Sequence, residues 1–149
     1  NLPYHHIAAE ALSREAHEQL LISAINNYAP DYIVLARYMR ILTPGFVQHY
    51  KDRIINIHHS FLPAFIGAHP YRQAYERGVK IIGATAHFVN NNLDEGPIIC
   101  QNVIPVVHSQ NAAEMARAGR GIEKMVLAQA LKLVLEDKVM LSGNKTVIF

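Results

Sequence analysis

The 149 residues fit a single domain, because domains usually have ~100–200 residues and no room remains for a second full-sized module. Half of the residues are hydrophobic and 17% are charged, which excludes an intrinsically disordered chain. A net charge of +2 without any run of like charges argues against a nucleic-acid-binding protein.

The sequence shows no features of a membrane or secreted protein. No apolar stretch reaches the ~18 residues of a membrane span. The N-terminal residues lack the basic and apolar segments of a signal peptide, and the single cysteine, Cys100, cannot form an internal disulfide. We therefore expect a cytoplasmic protein without a membrane partner.

Apolar periodicity, helix caps and stop signals predict four helices and five strands. Ser13 and Thr43 can cap helix N-termini, Pro44 suits a first helical position, and Gly78 suits the end of a helix. The predicted helices cover residues 13–28, 43–50, 70–77 and 111–137. The predicted strands cover residues 31–36, 53–58, 80–89, 97–106 and 145–149.

The alternation of strands and helices predicts an α/β fold with a mostly parallel sheet. No helix separates 80–89 from 97–106, so these two strands are candidates for an antiparallel pair. The loop and helix after 53–58 are long enough for a right-handed crossover to a parallel neighbour at 80–89. Ligands bind at the carboxyl ends of the strands in such sheets, which directs attention to the polar residues there.

Three of these polar residues could carry out chemistry on a carbonyl group. Asn56 and His58 lie on one face of a strand, because side chains alternate with a period of two. The amide of Asn56 could stabilise an oxyanion, and His58 could transfer a proton near neutral pH. Asp94, in a polar loop, could orient a water molecule or the histidine. Together they predict attack on a carbonyl without a covalent nucleophile.

The residues alone leave other interpretations open. Asn56 and Asp94 could be turn formers, and His87, inside an apolar strand, could be a core histidine or a support for the site. His58, His59, His87 and Asp94 could also bind zinc or iron.

Three motifs in chain order resemble the folate-dependent formyltransferase superfamily. They are LARYMRIL at 35–42, NIHHSFLPAF at 56–65, and GATAHFV at 83–89 followed by LDEGPII at 93–99. The doublet His58-His59 resembles the formyltetrahydrofolate deformylases within that superfamily. The glycinamide ribonucleotide transformylases typically have proline at the position of His59.

The resemblance implies a Rossmann-like fold and hydrolysis of 10-formyltetrahydrofolate to tetrahydrofolate and formate. It makes Asn56 the holder of the formyl oxygen, His58 the general acid and base, and Asp94 the residue that positions the water and the histidine. His59 and His87 are supporting residues, and neither a metal nor a bound cofactor is expected. The expected substrate-binding residues are Arg40, Ile41, Leu42, Phe88, Val89 and Asn92.

The resemblance also implies that residues 1–149 are the C-terminal part of the catalytic domain, without its N-terminal β–α units. We expect the strand at 31–36 to lie at an exposed sheet edge, so that this stretch alone would aggregate or dimerise. The intact protein is expected to be a homo-oligomer. A formyltransferase of the same superfamily and a non-catalytic folate-binding module are the alternatives.

Overall fold

A four-stranded mixed sheet lies between two helical layers in the computed structural model, which describes residues 2–67 and 69–149. The helices are α1 (Arg14–Asn26), α2 (Pro44–His49), α3 (Pro70–Arg77) and α4 (Ala112–Leu135). The strands are β1 (Ile33–Leu35), β2 (Ile54–His58), β3 (Ile81–Phe88), β4 (Ile98–Pro105), β5 (Val139–Ser142) and β6 (Lys145–Ile148).

The helices begin at the capping residues that the sequence indicates, whereas α1 and α4 end at Asn26 and Leu135, before the predicted ends at 28 and 137. The side chains of Ser13 and Thr43 accept hydrogen bonds from the main-chain N–H groups at the starts of α1 and α2. Asn111 and Glu114 form a reciprocal capping box at the start of α4. Gly78 ends α3 with φ of 70°, a left-handed conformation that glycine adopts without a steric penalty.

The sheet order is β1-β2-β3-β4, in which β1 pairs with β2 in parallel and the other two pairings are antiparallel. The α/β class and the antiparallel β3–β4 pair are confirmed, whereas a mostly parallel sheet and a parallel orientation of β3 beside β2 are wrong for these strands. Helix α3 packs against α4 and does not return the chain along the sheet. Strand β3 therefore starts beside the end of β2, with His58 opposite Thr85.

The two faces of the central strands have different roles. One face packs against α4 through a buried apolar cluster, and α1 and α2 cover part of the other face around Phe46, Tyr50 and Ile54. The cluster under α4 consists of Ile55, Ile57, Ala84, Ala86, Phe88, Ile99, Ile122, Val126, Ala130 and Val134. This alternation leaves Asn56, His58, Thr85 and His87 on the face opposite α4.

Strands β5 and β6 form a separate antiparallel hairpin, in which β6 was predicted and β5 was not. Its turn, Gly143–Asn144, lies against the polar loop that follows β3. Strand β1 lies at one edge of the main sheet in the described part of the chain. In residues 2–67 and 69–149, no helix combines the length and apolar character needed to cross a bilayer.

Candidate active site

Four polar side chains meet on the sheet face opposite α4. Strand β2 supplies Asn56 and His58, and β3 supplies His87, which lies directly opposite Asn56 in the antiparallel register. The loop after β3 brings Asp94 onto this face, within 3.4 Å of the His58 ring. The site lies over the face of β2 and β3, because the loops after these strands fold across the sheet.

His58 and Asp94 form the closest contact between ionisable side chains in the site. His58 Nδ1 lies 3.4 Å from Asp94 Oδ1, and both side chains are 7% exposed. Burial alone would raise the pKa of Asp94, but hydrogen bonding and charge interaction with His58, with a further bond from the Gly67 N–H, hold it below its ordinary value. The carboxylate is therefore ionised at neutral pH beside the imidazole.

The second ring nitrogen of His58 faces a main-chain oxygen. His58 Nε2 lies 3.2 Å from the carbonyl oxygen of Phe65, which can only accept, so Nε2 carries the hydrogen when this hydrogen bond is made. The Phe65 carbonyl thus occupies a position that an atom of a substrate could take.

His87 is a neutral support for Asn56. Its Nδ1 donates to the Phe88 carbonyl oxygen at 2.8 Å, which leaves Nε2 as an acceptor. The Asn56 amide nitrogen lies 3.4 Å from that Nε2. Burial lowers the pKa of His87, which keeps the ring neutral. This contact fixes which end of the Asn56 side chain carries the amide hydrogens. The second amide hydrogen has no hydrogen-bond partner among residues 2–67 and 69–149, so it is available to a ligand.

The hydroxyl of Thr85 holds the loop at 59–67 over the sheet face opposite α4, which we call the catalytic face. That hydroxyl donates to the Ser60 carbonyl oxygen at 2.8 Å and accepts from the Leu62 N–H at 3.1 Å. Gln101 on β4 donates to both Thr85 Oγ1 and the Leu62 carbonyl. The Ser60 hydroxyl bonds to the carbonyls of Ala64 and Phe65, so it is a loop-stabilising group and not an activated nucleophile.

His59 takes part in a second, separate cluster. Its Nδ1 lies 3.4 Å from Glu123 Oε2 on α4, and the Tyr71 hydroxyl donates to Glu123 Oε1 at 2.6 Å. Burial would raise the pKa of Glu123, but hydrogen bonds from His59 and Tyr71 lower it. Gly119 is required beneath this cluster, since a Cβ atom there would overlap the Tyr71 ring.

The expected substrate-binding residues differ in how far their side chains are exposed. Leu42 and Val89 pack against the same apolar cluster of α1, α2 and β2, so the loops after β1 and β3 both border this cluster. Ile41 is 53% exposed and available to a ligand, Arg40 is half-buried, and Asn92 is exposed. The Phe88 side chain is 4% exposed and packs towards α4. Only the main chain of Phe88 reaches the site.

An open cleft of about 580 Å³ adjoins Asp94. Its walls are the loop at 62–66, the segment at 94–98 and the β5–β6 turn. No group of three or more His, Cys, Asp or Glu side chains suited to a metal ion was found in the described residues.

Sequence reasoning missed the residues that hold the site together. Thr85 lies two positions before His87 in the same strand, so period-two alternation could have placed it on the catalytic face. Glu123, Tyr71 and Asn144 come from distant segments, and no local pattern marks them.

Comparison with known proteins identifies the family. Residues 1–131 match the formyl transferase family. The chain belongs to this family. The formyltetrahydrofolate deformylase of Haemophilus influenzae is 62% identical over 148 residues, which are 99% of this chain and 53% of that protein. The deformylase of Bacillus subtilis is 55% identical over 149 residues, which are 50% of its length. The chain thus spans about half the length of these relatives.

Solved structures of formyl transferase family members share the fold. A formyltetrahydrofolate deformylase from Pseudomonas syringae superposes with a TM-score of 0.95 and 48% identity, covering 99% of this chain and 50% of that one. Glycinamide ribonucleotide transformylase 1 from Symbiobacterium toebii gives a TM-score of 0.88 and 36% identity, covering 92% of this chain and 65% of that one. The Rossmann-like formyltransferase fold is confirmed.

Proposed function

We propose that the intact protein hydrolyses 10-formyltetrahydrofolate to tetrahydrofolate and formate. The observation that carries this proposal is the convergence of Asn56, His58 and Asp94 on one sheet face. The identity of 62% to a protein named formyltetrahydrofolate deformylase supports the choice of reaction within the family.

In this proposal a water oxygen attacks the formyl carbon, and the carbonyl oxygen becomes an oxyanion. The free amide hydrogen of Asn56 donates to that oxygen, because its other hydrogen faces His87. Asp94 and His58 hold the water. With its Nδ1–H directed at Asp94, His58 takes up a proton from the water at Nε2 and supplies it to N10 of the folate. The C–N bond then breaks, and formate and tetrahydrofolate leave. For this step the hydrogen bond between His58 Nε2 and the Phe65 carbonyl breaks, and Nε2 then faces the substrate.

We infer that the pterin lies between the loops after β1 and β3. The packing of Leu42 and Val89 against one apolar cluster supports this placement, with Ile41 and Asn92 accessible from solvent. Arg40 provides a cation on the same loop for an anionic part of the folate. Phe88 contributes through its main chain.

Three substitutions test the catalytic roles in the intact protein. His58→Ala is expected to lower kcat by ~10²–10⁴-fold and Asn56→Ala by ~10²–10³-fold. Asp94→Asn should lower kcat while folate binding, measured by fluorescence titration, is retained. His108→Ala, which removes an exposed histidine outside the site, is the matched control. Wild-type turnover in any of the three site variants would remove that residue from the proposed mechanism.

The nearest alternative is transfer of the formyl group to an amine. It is distinguished by incubating the intact protein with 10-formyltetrahydrofolate in water alone and with an added amine. Formate release without the amine supports hydrolysis, and dependence on the amine would refute it. Saturable tetrahydrofolate binding without any turnover would instead indicate a binding module.

We further propose that the reaction is metal-free, and that the protein is a cytoplasmic homo-oligomer. Activity that survives chelator treatment supports the first statement, and loss of activity with rescue by zinc or iron would overturn it. Size-exclusion chromatography of the intact protein tests the oligomeric state. The same measurement on residues 1–149 alone tests the expected association through β1, and a well-behaved monomer would contradict it.

A further inference from the structure

Asp94 has an unusual backbone conformation for a residue with a side chain. Its φ is +58°, in the left-handed region, which aspartate visits more readily than most residues but still at a steric cost. Such conformations persist where the surrounding contacts determine them. The carboxylate position near His58 therefore depends on how the main chain around Asp94 is held.

Two hydrogen bonds within the loop after β3 shape the main chain around Asp94. The Glu95 N–H donates to the Asn92 carbonyl oxygen at 3.3 Å, which closes a turn around Asp94. The Asn92 N–H donates to the Asn90 side chain at 2.9 Å. Both bonds are internal to the loop, so they shape the turn without fixing it relative to β2.

The turn between β5 and β6 supplies the outside contact. Asn144 Nδ2 donates to the carbonyl oxygen of Glu95 at 2.8 Å, one peptide beyond Asp94. Asn144 Oδ1 accepts from Asn90 Nδ2 at 3.1 Å. A single side chain thus bridges the two ends of the turn that carries Asp94. The hairpin is itself attached to the main sheet, because Thr146 Oγ1 donates to the Ile98 carbonyl at 2.5 Å.

We propose that Asn144 is a positioning residue that sets the Asp94 carboxylate against His58. Its side chain bonds to the Asn90 side chain and to the Glu95 carbonyl, and so it acts on Asp94 through the residues on either side of it. The inference rests on the proposed function, because it assigns Asn144 a role in placing one of the groups of that site.

The principal test replaces Asn144 in the intact protein and measures kcat and KM for 10-formyltetrahydrofolate separately. Asn144→Ala is expected to lower kcat by about 10-fold with KM changed less than ~2-fold, because a small displacement of a catalytic group reduces turnover more than binding. Asn144→Asp keeps the acceptor for Asn90 but loses the donor to Glu95, so it should match the alanine variant. Wild-type kcat in both variants would overturn the inference.

The matched control is Asn102→Ala, which removes an exposed asparagine whose side chain accepts from its neighbour's N–H at 2.8 Å. It should keep wild-type kcat. An equal loss in Asn102→Ala and Asn144→Ala would indicate a general effect on the fold and overturn the inference.

A double-variant cycle separates this inference from the proposed function. If Asn144 acts through Asp94, the double variant Asn144→Ala/Asp94→Asn should have a kcat less than ~2-fold below that of Asp94→Asn alone. A full additional 10-fold loss would show an independent role and refute the inference. If Asp94→Asn alone keeps wild-type kcat, the proposed catalytic role of Asp94 is refuted, and the role of Asn144 is refuted with it. If Asp94→Asn is impaired and Asn144→Ala is not, only the positioning role fails.

Discussion

Replacing Thr85 with valine removes the hydroxyl that holds the loop at 59–67 over the catalytic face. Thr85 is fully buried, and valine has nearly the same shape, so the substitution changes hydrogen bonding far more than packing. The Ser60 carbonyl and the Leu62 N–H lose the partner that they have in the structure. The Gln101 side chain keeps its hydrogen bond to the Leu62 carbonyl, so the Ser60 carbonyl and the Leu62 N–H are the two groups counted as unpaired.

The cost follows from these two main-chain groups. An unpaired buried polar group costs about 1–3 kcal/mol, and the added methyl group returns about 1 kcal/mol by burial. We therefore expect Thr85→Val to lower the free energy of unfolding by about 3 kcal/mol. For a protein of this size that corresponds to a fall in Tm of about 6–12 °C.

Urea unfolding of the intact protein measures the total loss, and amide hydrogen exchange at Leu62 shows whether it lies in this loop. Thr146→Val is the matched control, because it removes one hydroxyl bond on the exposed hairpin. We expect less than ~1 kcal/mol there. A loss below ~1 kcal/mol in Thr85→Val, or equal losses in the two variants, would refute the assignment of Thr85 as the anchor of the loop.

Two further predictions concern pH and the loop that carries Asp94. Burial lowers the pKa of His87, so its stabilising contribution is complete above about pH 6.5 and is lost as the pH falls towards its folded pKa. Below pH 6.5 the urea unfolding midpoint should therefore fall less steeply with decreasing pH in His87→Asn than in the wild type. An equal dependence on pH in the two proteins would contradict this. In Gly96→Ala, the new Cβ would overlap the Phe88 carbonyl oxygen, so we expect a loss of about 1–3 kcal/mol in urea unfolding and reduced kcat. Gly121→Ala, at an open helical position, should instead stabilise by about 0.5–1 kcal/mol, and the opposite ranking would refute the steric argument.

Local signals predicted most of the secondary structure, because caps and periodicity are properties of neighbouring residues. Ser13 and Thr43 mark helix starts by hydrogen bonds that span only three positions. Strand β5 was missed because Val139–Ser142 is a short segment whose partner is an equally short strand. The direction of β3 was wrong because chain length permits a crossover but does not require one, and the packing of α3 on α4 decided the outcome.

The candidate site shows the same division between local and distant information. Asn56 and His58 share a face by strand alternation, and their pairing with His87 needed only the sheet register. The role of Asp94 came from the resemblance to the family, whereas its position over the sheet face could not be predicted, since a loop position has no period. The contacts of Glu123 with His59 and of Asn144 with Glu95 join segments 64 (123 − 59) and 49 residues apart and could not be deduced from composition or spacing.

The alternation along β2 and β3 also has a consequence for how this protein can change in evolution. Substitutions at Ile55 or Ala86 alter the core, and those at Asn56 or His87 alter the chemistry, so single replacements can affect one property with little effect on the other. An inserted or deleted residue within either strand behaves differently, because it moves every following side chain to the opposite face. Such a change would bury the catalytic groups against α4 and turn the core outward together. We therefore expect natural length variation in this fold to be confined to the connecting loops.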